Sequence, residues 1–321
     1  MDNLGLLLKF KINRPLTEQE RTSQVMQDKR LKVEPLNQLS TIRMNSTYLE
    51  MVDKYFGEKG FVTLFAVVMV VIITGFLIYL VSISVHRFDS LPTGEKWEEI
   101  LFLAIFFVMF LPFILIAVWL FRKESFAYTH YPVRLNRKNG KIYVFRLDGT
   151  VLAMPWKDVF FTVGKGRPRS TYDDIRGHVL DADGVTIKET FALSDYDKLS
   201  KEELSAYPDN VQETHHLFRY WEFVRRYMEE GPKNLLDHVD VVMPIAHSRE
   251  GVWNSFLRLN TGWAGGWIIA LPFTLLAWPF RVLAMRTSKI PQWPQWVEDE
   301  CQVDPNDPYQ RDEQHPHLRT A

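Results

Sequence analysis

The sequence predicts an α+β membrane protein: a two-helix transmembrane hairpin, then a cytoplasmic antiparallel β domain that an amphipathic helix closes. Three observations predict this class. Residues 61–85 and 100–121 contain no charged side chain. The region after them alternates apolar and polar residues between tight-turn signals, as half-buried strands do. A segment with helical spacing then ends at Gly231-Pro232, which is typical of a helix C-terminus.

Composition excludes several classes of protein. The chain has 321 residues, and its 38 basic and 39 acidic side chains give a net charge of −1. A nucleic-acid binder usually carries a strong basic excess, so we expect no nucleic-acid partner. The single cysteine, Cys301, excludes an internal disulfide framework and a CxxC zinc site.

Residues 1–60 are predicted to form an uncleaved N-terminal cytoplasmic segment. Their first apolar run, Leu6–Leu8, is far shorter than the ~7–15 residues of a signal-peptide core. An amphipathic lead-in helix is predicted from Thr47 to Phe56, and we expect it to lie along the membrane. Four apolar residues at helical spacing carry this prediction: Leu49, Val52, Tyr55 and Phe56.

The transmembrane hairpin is predicted to occupy residues 61–121. Its first span, 61–85, would extend about 37 Å at ~1.5 Å per residue, which exceeds the ~30 Å hydrocarbon core. The second span, 100–121, contains Pro112, which is tolerated in a membrane helix although it kinks it. Transporters usually carry ionisable side chains in their spans. We therefore expect no ion pathway within one chain, while a pore or another homo-oligomer stays possible.

Basic residues predict the orientation. The loop between the spans holds only Arg87 and Lys96 against four acidic residues. The positive-inside rule therefore puts the N-terminus and the β domain in the cytoplasm, with the chain crossing the membrane more than once. The residues that set this topology follow the second span: Arg122, Lys123, Arg134, Arg137 and Lys138.

A third apolar stretch, 263–283, lies within the predicted membrane segment 246–290. Tryptophans at 263, 267 and 278 suit the headgroup level of a bilayer. Two glycines and two prolines interrupt the stretch, and a third crossing would put the basic residues after it outside. An in-plane or re-entrant helix, a true span and a soluble core helix all remain open, and with them the side of the C-terminus.

Residues 122–245 predict the β domain. Asn139-Gly140, Asp148-Gly149 and Asp183-Gly184 are tight-turn signals, because glycine adopts positive φ at no steric cost. A helix is predicted at 212–230. This order resembles the outline of a pleckstrin-homology-like domain, although a fold alone gives no function. The predicted strands are Pro132–Leu135, Lys141–Arg146, Val151–Trp156, Val159–Val163, Ile175–Asp181 and Val185–Leu193.

Several strings resemble an uncharacterised family of proteobacterial membrane proteins, catalogued only as a domain of unknown function. They are GHVLDADGVTIKETFAL at 177–193, WEFVRRYMEEGP at 221–232, MRTSKIPQWP at 285–294 and the block at 136–161. The likeness extends from about Tyr48 to Tyr309. It implies that the membrane is a bacterial inner membrane. It implies a place near type VI secretion genes and their toxic effectors, and hence an immunity or effector-accessory role. It implies no catalytic residues.

No motif predicts catalysis, a metal or a cofactor, so we expect a protein that is not an enzyme. His215 and His216 are adjacent and point about 100° apart on a helix, which is poor geometry for one metal. Acidic neighbours would raise the pKa of Cys301, the opposite of what a nucleophile needs. A glycine-spaced loop supplies the candidate contact with anionic headgroups or a partner, or is simply solvated: Lys165, Arg167 and Arg169.

The tail, residues 291–321, is rich in proline and acidic residues and contains Trp293 and Trp296. These rings would dock on the protein's own β domain or on a partner. The leading hypothesis is a membrane-anchored protein-interaction module whose partner is a secretion effector or component. The alternatives are a lipid- or membrane-state sensor and an enzyme whose site forms no motif.

Overall fold

The computed structural model describes residues 10–37, 39–88, 90–164, 174–193, 209–239, 242–260 and 267–315, with the backbone alone for 209–216, 260 and 267–270. The chain divides into two compact units. The sheet unit contains residues up to 58, residues 128–274 and residues from 289 onwards. The hairpin unit contains residues 59–127 and 275–288.

The sheet unit has two antiparallel sheets. The larger one has the order β2-β3-β4-β5-β6, and the smaller one β1-β9-β8-β7. A short helix, α1 (Glu18–Thr22), follows β1. The strands are β1 (Arg14–Pro15), β2 (Thr41–Met44), β3 (Tyr48–Met51), β4 (Val133–Asn136), β5 (Lys141–Phe145), β6 (Val151–Pro155), β7 (Val159–Gly164), β8 (Asp174–Leu180) and β9 (Thr186–Ala192).

A long helix, α4 (Asp209–Glu230), supplies much of the core of the sheet unit. Its Trp221 is fully buried and stacks on Trp156, with ring centres 5.7 Å apart. Phe161 of β7 lies 4.8 Å from the same indole. Apolar residues from both sheets join these rings in one cluster, so the helix and the two sheets share a single core.

All six predicted strands between Pro132 and Leu193 are confirmed to within a residue or two, and so is the helix that ends at Glu230. These elements are predictable because the residues at their own ends specify where they stop. Gly140, Gly149 and Gly184 have φ of 68°, 85° and 65°, as their turns require. Gly231, with φ 88°, ends α4 by donating its N–H to the Arg226 carbonyl at 2.9 Å.

The lead-in helix predicted at 47–56 is wrong, because Tyr48–Met51 form strand β3. All four residues are buried. Leu49 and Met51 face the core, while Tyr48 and Glu50 face the opposite side of the sheet and are covered there as well. Burial on both faces hides the alternation that marks a strand, and the apolar residues after it complete an accidental helical spacing.

Strands β3 and β4 are neighbours in the larger sheet although both long apolar helices separate them in sequence. Tyr48 pairs with Asn136 and Met51 with Val133. Strands from the described residues before the hairpin therefore belong to the two sheets, so the β domain extends beyond the predicted segment 122–245.

The hairpin unit contains α2 (Phe61–Phe88) and α3 (Lys96–Ser125). By length and composition both helices can cross a membrane, and only 17% and 6% of their most apolar windows is buried. They contact each other through small residues, including Ala66 and Ala117, and through Phe76, whose ring centre lies 5.5 Å from that of Phe110. The third apolar stretch forms α6 (Trp267–Thr287), which follows the short helix α5 (Val252–Asn260). Among the described residues, α2 and α3 alone meet the criteria for a span.

Candidate functional site

The C-terminal segment 289–315 covers the face of the larger sheet that points away from the core. It contains one helical turn, α7 (Gln295–Glu300). Val297 and Cys301 pack there against Tyr48 and Tyr143. We call this covered surface the tail face. Main-chain bonds extend the contact, because Met44 and Arg311 exchange two of them at 2.9 and 2.7 Å.

Arg134 is the centre of the tail face and is 1% exposed. Its guanidinium bonds Glu50 at 3.0 Å and Glu298 at 3.1 Å. It also lies over the rings of Tyr48 and Trp293, at 4.4 and 4.8 Å from their centres. Each partner suits a planar cation, since carboxylates accept its N–H groups and aromatic faces attract its charge.

Trp293 closes this arrangement by donating its Nε1–H to Glu50 Oε1 at 2.9 Å. Burial alone would raise the pKa of Glu50, but Arg134 and then Arg43 outweigh it and hold that pKa below its usual value. Glu50 is therefore an ionised, fully paired carboxylate. It is a structural acceptor and not a group poised to exchange protons near neutral pH.

The two tail tryptophans differ in their surroundings. Trp293 is docked on the chain's own sheet. Trp296 packs on Tyr143, with ring centres 5.8 Å apart, yet stays 44% exposed. Beside it Glu300 accepts from Lys141 and from the Tyr143 hydroxyl, both at 2.6 Å. Of the two, Trp296 is the residue that a second molecule can reach.

The residues predicted to set topology lie in different surroundings. Arg134 lies inside the tail face, where it forms ion pairs with Glu50 and Glu298 and does not face a lipid surface. Arg137 packs beside Gly231, and Lys138 is exposed in the turn after β4. Arg122 and Lys123 are exposed in the last turn of α3. The predicted basic loop, Lys165, Arg167 and Arg169, and the side chains of His215 and His216 lie outside the described residues.

Burial, more than the acidic neighbours, raises the pKa of the Cys301 thiol. The thiol accepts a hydrogen bond from Asn136 Nδ2 at 3.3 Å. A buried thiol with a raised pKa is unreactive, in line with its sequence context.

A buried group of titratable residues, which the sequence did not indicate, surrounds His178 on β8. His178 Nδ1 bonds the Thr190 hydroxyl at 2.8 Å, and Nε2 lies 3.6 Å from Glu20. Burial lowers the pKa of His178 to about 4. Burial alone would raise the pKa of Glu20, but hydrogen bonds from Arg14 and Thr17 outweigh it and lower that pKa to about 2.

This group has the chemistry of a structural network. Both Glu20 oxygens bond Arg14, at 2.6 and 2.8 Å. The same carboxylate accepts from the Thr17 N–H at 2.9 Å, and the Thr17 hydroxyl accepts from the Glu20 N–H, which completes the N-terminal capping box of α1. The imidazole is neutral and the carboxylate is ionised at neutral pH, so neither group titrates near pH 7. Among the described residues, no cluster of His, Cys, Asp and Glu has the geometry to hold a metal ion.

The sheet unit also contains a narrow apolar cleft of about 50 Å³. One wall comes from the larger sheet and another from β9. Lys54 lies at its rim and is ion-paired with buried Asp174. The volume and the apolar walls suit a single aliphatic or aromatic group. The lining includes Phe10, Tyr55, Tyr131, Val144, Phe145 and Phe191.

In the hairpin unit, polar contacts gather around Glu124 at the end of α3. This buried carboxylate accepts from the N–H groups of Gly60 and Thr63, at 2.9 and 2.6 Å, and from the Thr63 hydroxyl at 2.6 Å. It thereby caps the first turn of α2, whose N–H groups have no partner within the helix. Arg281 of α6 donates to the Lys59 carbonyl at 3.1 Å. A Cβ on Gly60 would lie 2.5 Å from the Arg281 backbone, so only glycine fits there.

Comparison with known proteins gives one result. A family model described as a family of unknown function (DUF6708) matches residues 109–305, more than half of the chain. No curated protein and no solved structure matches it.

Proposed function

The chain belongs to the DUF6708 family of unknown function, and we propose that it is a membrane-anchored protein-interaction module. In this proposal α2 and α3 cross the bacterial inner membrane, and the sheet unit presents its surface to a partner in the cytoplasm. The observation that carries it is the insertion of the hairpin between two paired strands.

The position of the hairpin between β3 and β4 in the chain constrains the membrane topology. Strands β3 and β4 are hydrogen-bonded neighbours, so both lie on one side of any membrane. Two crossings between them return the chain to that side, as the long, exposed, apolar α2 and α3 would do. The basic residues Arg122 and Lys123 support the cytoplasm as that side.

The same reasoning favours an in-plane or re-entrant α6. The segment 289–315 packs on the larger sheet, and so does the chain before α5, where Met243 donates its N–H to the Thr41 carbonyl at 2.9 Å. A single crossing between these two parts would separate them by a bilayer. The paired main-chain contacts on both sides of α6 therefore argue against a third span.

Trp296 supports the interaction role. Large exposed aromatic rings are unusual on a solvated surface and are enriched at the centres of protein interfaces. The acidic residues around it, from Glu298 to Asp312, would favour a basic partner surface.

The sharper form of the proposal is a type VI secretion immunity or effector-accessory protein, and it depends on the family resemblance. Deleting the gene is expected to poison cells only while the neighbouring effector gene is intact. Equal growth of the single and double deletions under conditions that induce secretion would contradict the immunity form.

A lipid- or membrane-state sensor is a second candidate, and the apolar cleft with Lys54 at its rim favours it. It predicts that full-length protein in neutral nanodiscs binds anionic vesicles in a salt-sensitive manner. Changing Lys165, Arg167 and Arg169 to alanine should abolish that binding. Binding that neither salt nor the triple variant weakens would contradict this candidate.

The test of the main proposal is affinity purification of the full-length protein from native cells in mild detergent, with mass spectrometry. We expect one stoichiometric protein partner, with lower recovery for Trp296→Ala. Trp97→Ala is the matched control, because Trp97 is also exposed, at 58%, but lies at the start of α3. Recovery of the chain alone, or of lipids without a partner, would overturn the proposal.

A further inference from the structure

Helix α5 exposes three of its five apolar side chains and buries two polar ones. Trp253 is 62% exposed, and Val252 and Leu257 are also exposed, whereas Leu259 is buried. Ser255 and Arg258 are buried as well. A surface helix in water normally buries its apolar stripe and exposes its polar residues.

Polar contacts hold the helix in this orientation. The Ser255 hydroxyl donates to Glu250 at 2.8 Å. Arg258 Nη1 donates to the Leu39 carbonyl at 3.1 Å, and its guanidinium lies 5.2 Å from the centre of the Phe56 ring. These bonds fix the inner face, so the apolar outer face is a property of the folded sheet unit. Contiguous exposed apolar surface of this kind marks a contact with lipid or with another protein.

We propose that α5 is an in-plane membrane anchor whose outer face, Val252, Trp253 and Leu257, contacts lipid at the boundary between headgroups and acyl chains. The proposal rests on the membrane placement of α2 and α3. It adds a second attachment of the sheet unit to the bilayer, separate from the spans.

The position of α5 supports a lipid surface. The helix packs against the 3₁₀ turn Phe56–Glu58, which leads within three residues into α2. Helix α5 is thus held by a turn that is only three residues along the chain from that apolar helix. Trp253 and Phe256 stack with ring centres 5.0 Å apart. Aromatic rings are enriched at this level of a bilayer.

The sequence after α5 favours lipid over a protein partner. From Leu259 to Phe280 there is no Asp, Glu, Lys, Arg or His. Phe273, in the part of α6 that belongs to the sheet unit, is 66% exposed. A protein interface has a polar rim around its apolar centre, whereas this long uncharged continuation suits a membrane interface.

The test places an environment-sensitive NBD label at single cysteines in the Cys301→Ser background. The full-length protein is reconstituted in nanodiscs of phosphatidylcholine and phosphatidylglycerol, with and without a doxyl-labelled lipid quencher. The test positions are Trp253→Cys and Leu257→Cys. Val108→Cys reports the hairpin, since Val108 is exposed on α3, and Ala182→Cys reports water, since Ala182 lies in an exposed turn between Asp181 and Asp183.

We expect the labels at 253 and 257 to be quenched about as strongly as the label at 108, and several-fold more than the label at 182. Quenching at 108 alone would overturn the anchor and leave the membrane placement of the hairpin intact. Absence of quenching at 108 as well would overturn that placement too. Labels at 253 and 257 that lipid does not quench, but that a co-purified protein shields from water, would show a protein interface and overturn the lipid assignment. Thermal unfolding of each variant checks that the fold is kept.

Discussion

The sheet unit and the hairpin unit differ in where they use polar side chains. The sheet unit buries ion pairs and hydrogen bonds on several surfaces, including the Arg134 site under the tail and the Glu20–His178 pair. In the hairpin unit the buried polar contacts gather at one end, around Glu124. The pair of exposed Arg87 with Glu99 lies at the other end, and the residues between are mostly apolar and exposed. Polar groups cost free energy when buried without partners, so each unit has them where partners exist. The sheet unit buries its apolar residues in its own core. The hairpin unit leaves most of its apolar residues exposed, so its stability depends on the medium that surrounds them.

The largest expected loss of stability comes from removing the Glu124 side chain, which caps α2 in the hairpin unit. Glu124→Ala removes the shared acceptor of three buried donors, and each buried donor left without a partner costs about 1–3 kcal/mol. We expect the free energy of unfolding to fall by about 4 kcal/mol. Thermal unfolding of the detergent-solubilised protein measures this.

Glu99→Ala is the control, because Glu99 lies in the same helix and its distance to Arg87 is 4.0 Å, typical of a weak surface pair. Its expected cost is at most about 1 kcal/mol. Equal melting temperatures for the two variants would show that the cap contributes little.

The next effect concerns His178 in the sheet unit and depends on pH. Burial lowers the pKa of this imidazole from 6.5 to about 4. Between these values the unfolded chain binds a proton that the folded chain does not, so stability falls as pH drops from 6.5 to 4. The loss reaches about 3 kcal/mol, at ~1.4 kcal/mol per pKa unit.

His178→Gln should flatten this part of the stability–pH curve, whereas His86→Gln, which alters an exposed histidine of α2, should keep its slope. Chemical denaturation at a series of pH values gives both curves. A slope that His178→Gln leaves unchanged would assign the acid sensitivity to other groups.

The smallest effect sharpens the comparison within the tail. Trp293→Phe keeps most of the ring but removes the bond to Glu50, and we expect it to cost about 2 kcal/mol. Trp296→Phe should cost less than about 0.5 kcal/mol, because this ring is half exposed and makes no comparable bond. Unfolding titrations of the two variants test the difference. Similar costs would mean that the tail is held mainly by ring packing.

Local signals explain why the later strands and α4 were predictable. Asn139-Gly140 and Asp183-Gly184 determine where their strands end, whatever the rest of the chain does. Strand β1 has only two residues, and β3 is buried on both faces, so neither produces a readable alternation. Long-range pairing determined these N-terminal elements, and a local pattern does not contain it.

The contacts of the tail face could not be predicted from the sequence for the same reason, because they join residues that are far apart in the chain. The sequence showed Arg134 as one member of a basic run. Its partner Glu298 comes 164 positions later, and only the fold brings the two together. Glu124 looks like an ordinary surface residue after Arg122-Lys123, since no local feature indicates that it caps another helix. The exposed residues of α5 were not predicted, because the helical period of its nine residues does not show which of its faces the fold buries.

The insertion of α2 and α3 between paired strands also has a consequence for biogenesis. Strand β3 leaves the ribosome about 80 residues before β4. At ~5–20 residues per second it waits roughly 4–16 seconds for its neighbour, with its edge unpaired. Under the proposed membrane placement, the translocation machinery would receive both apolar helices during that interval. Completion of the larger sheet would then follow insertion of the hairpin, and a chain that failed to insert would present an unpaired strand edge to quality-control proteases.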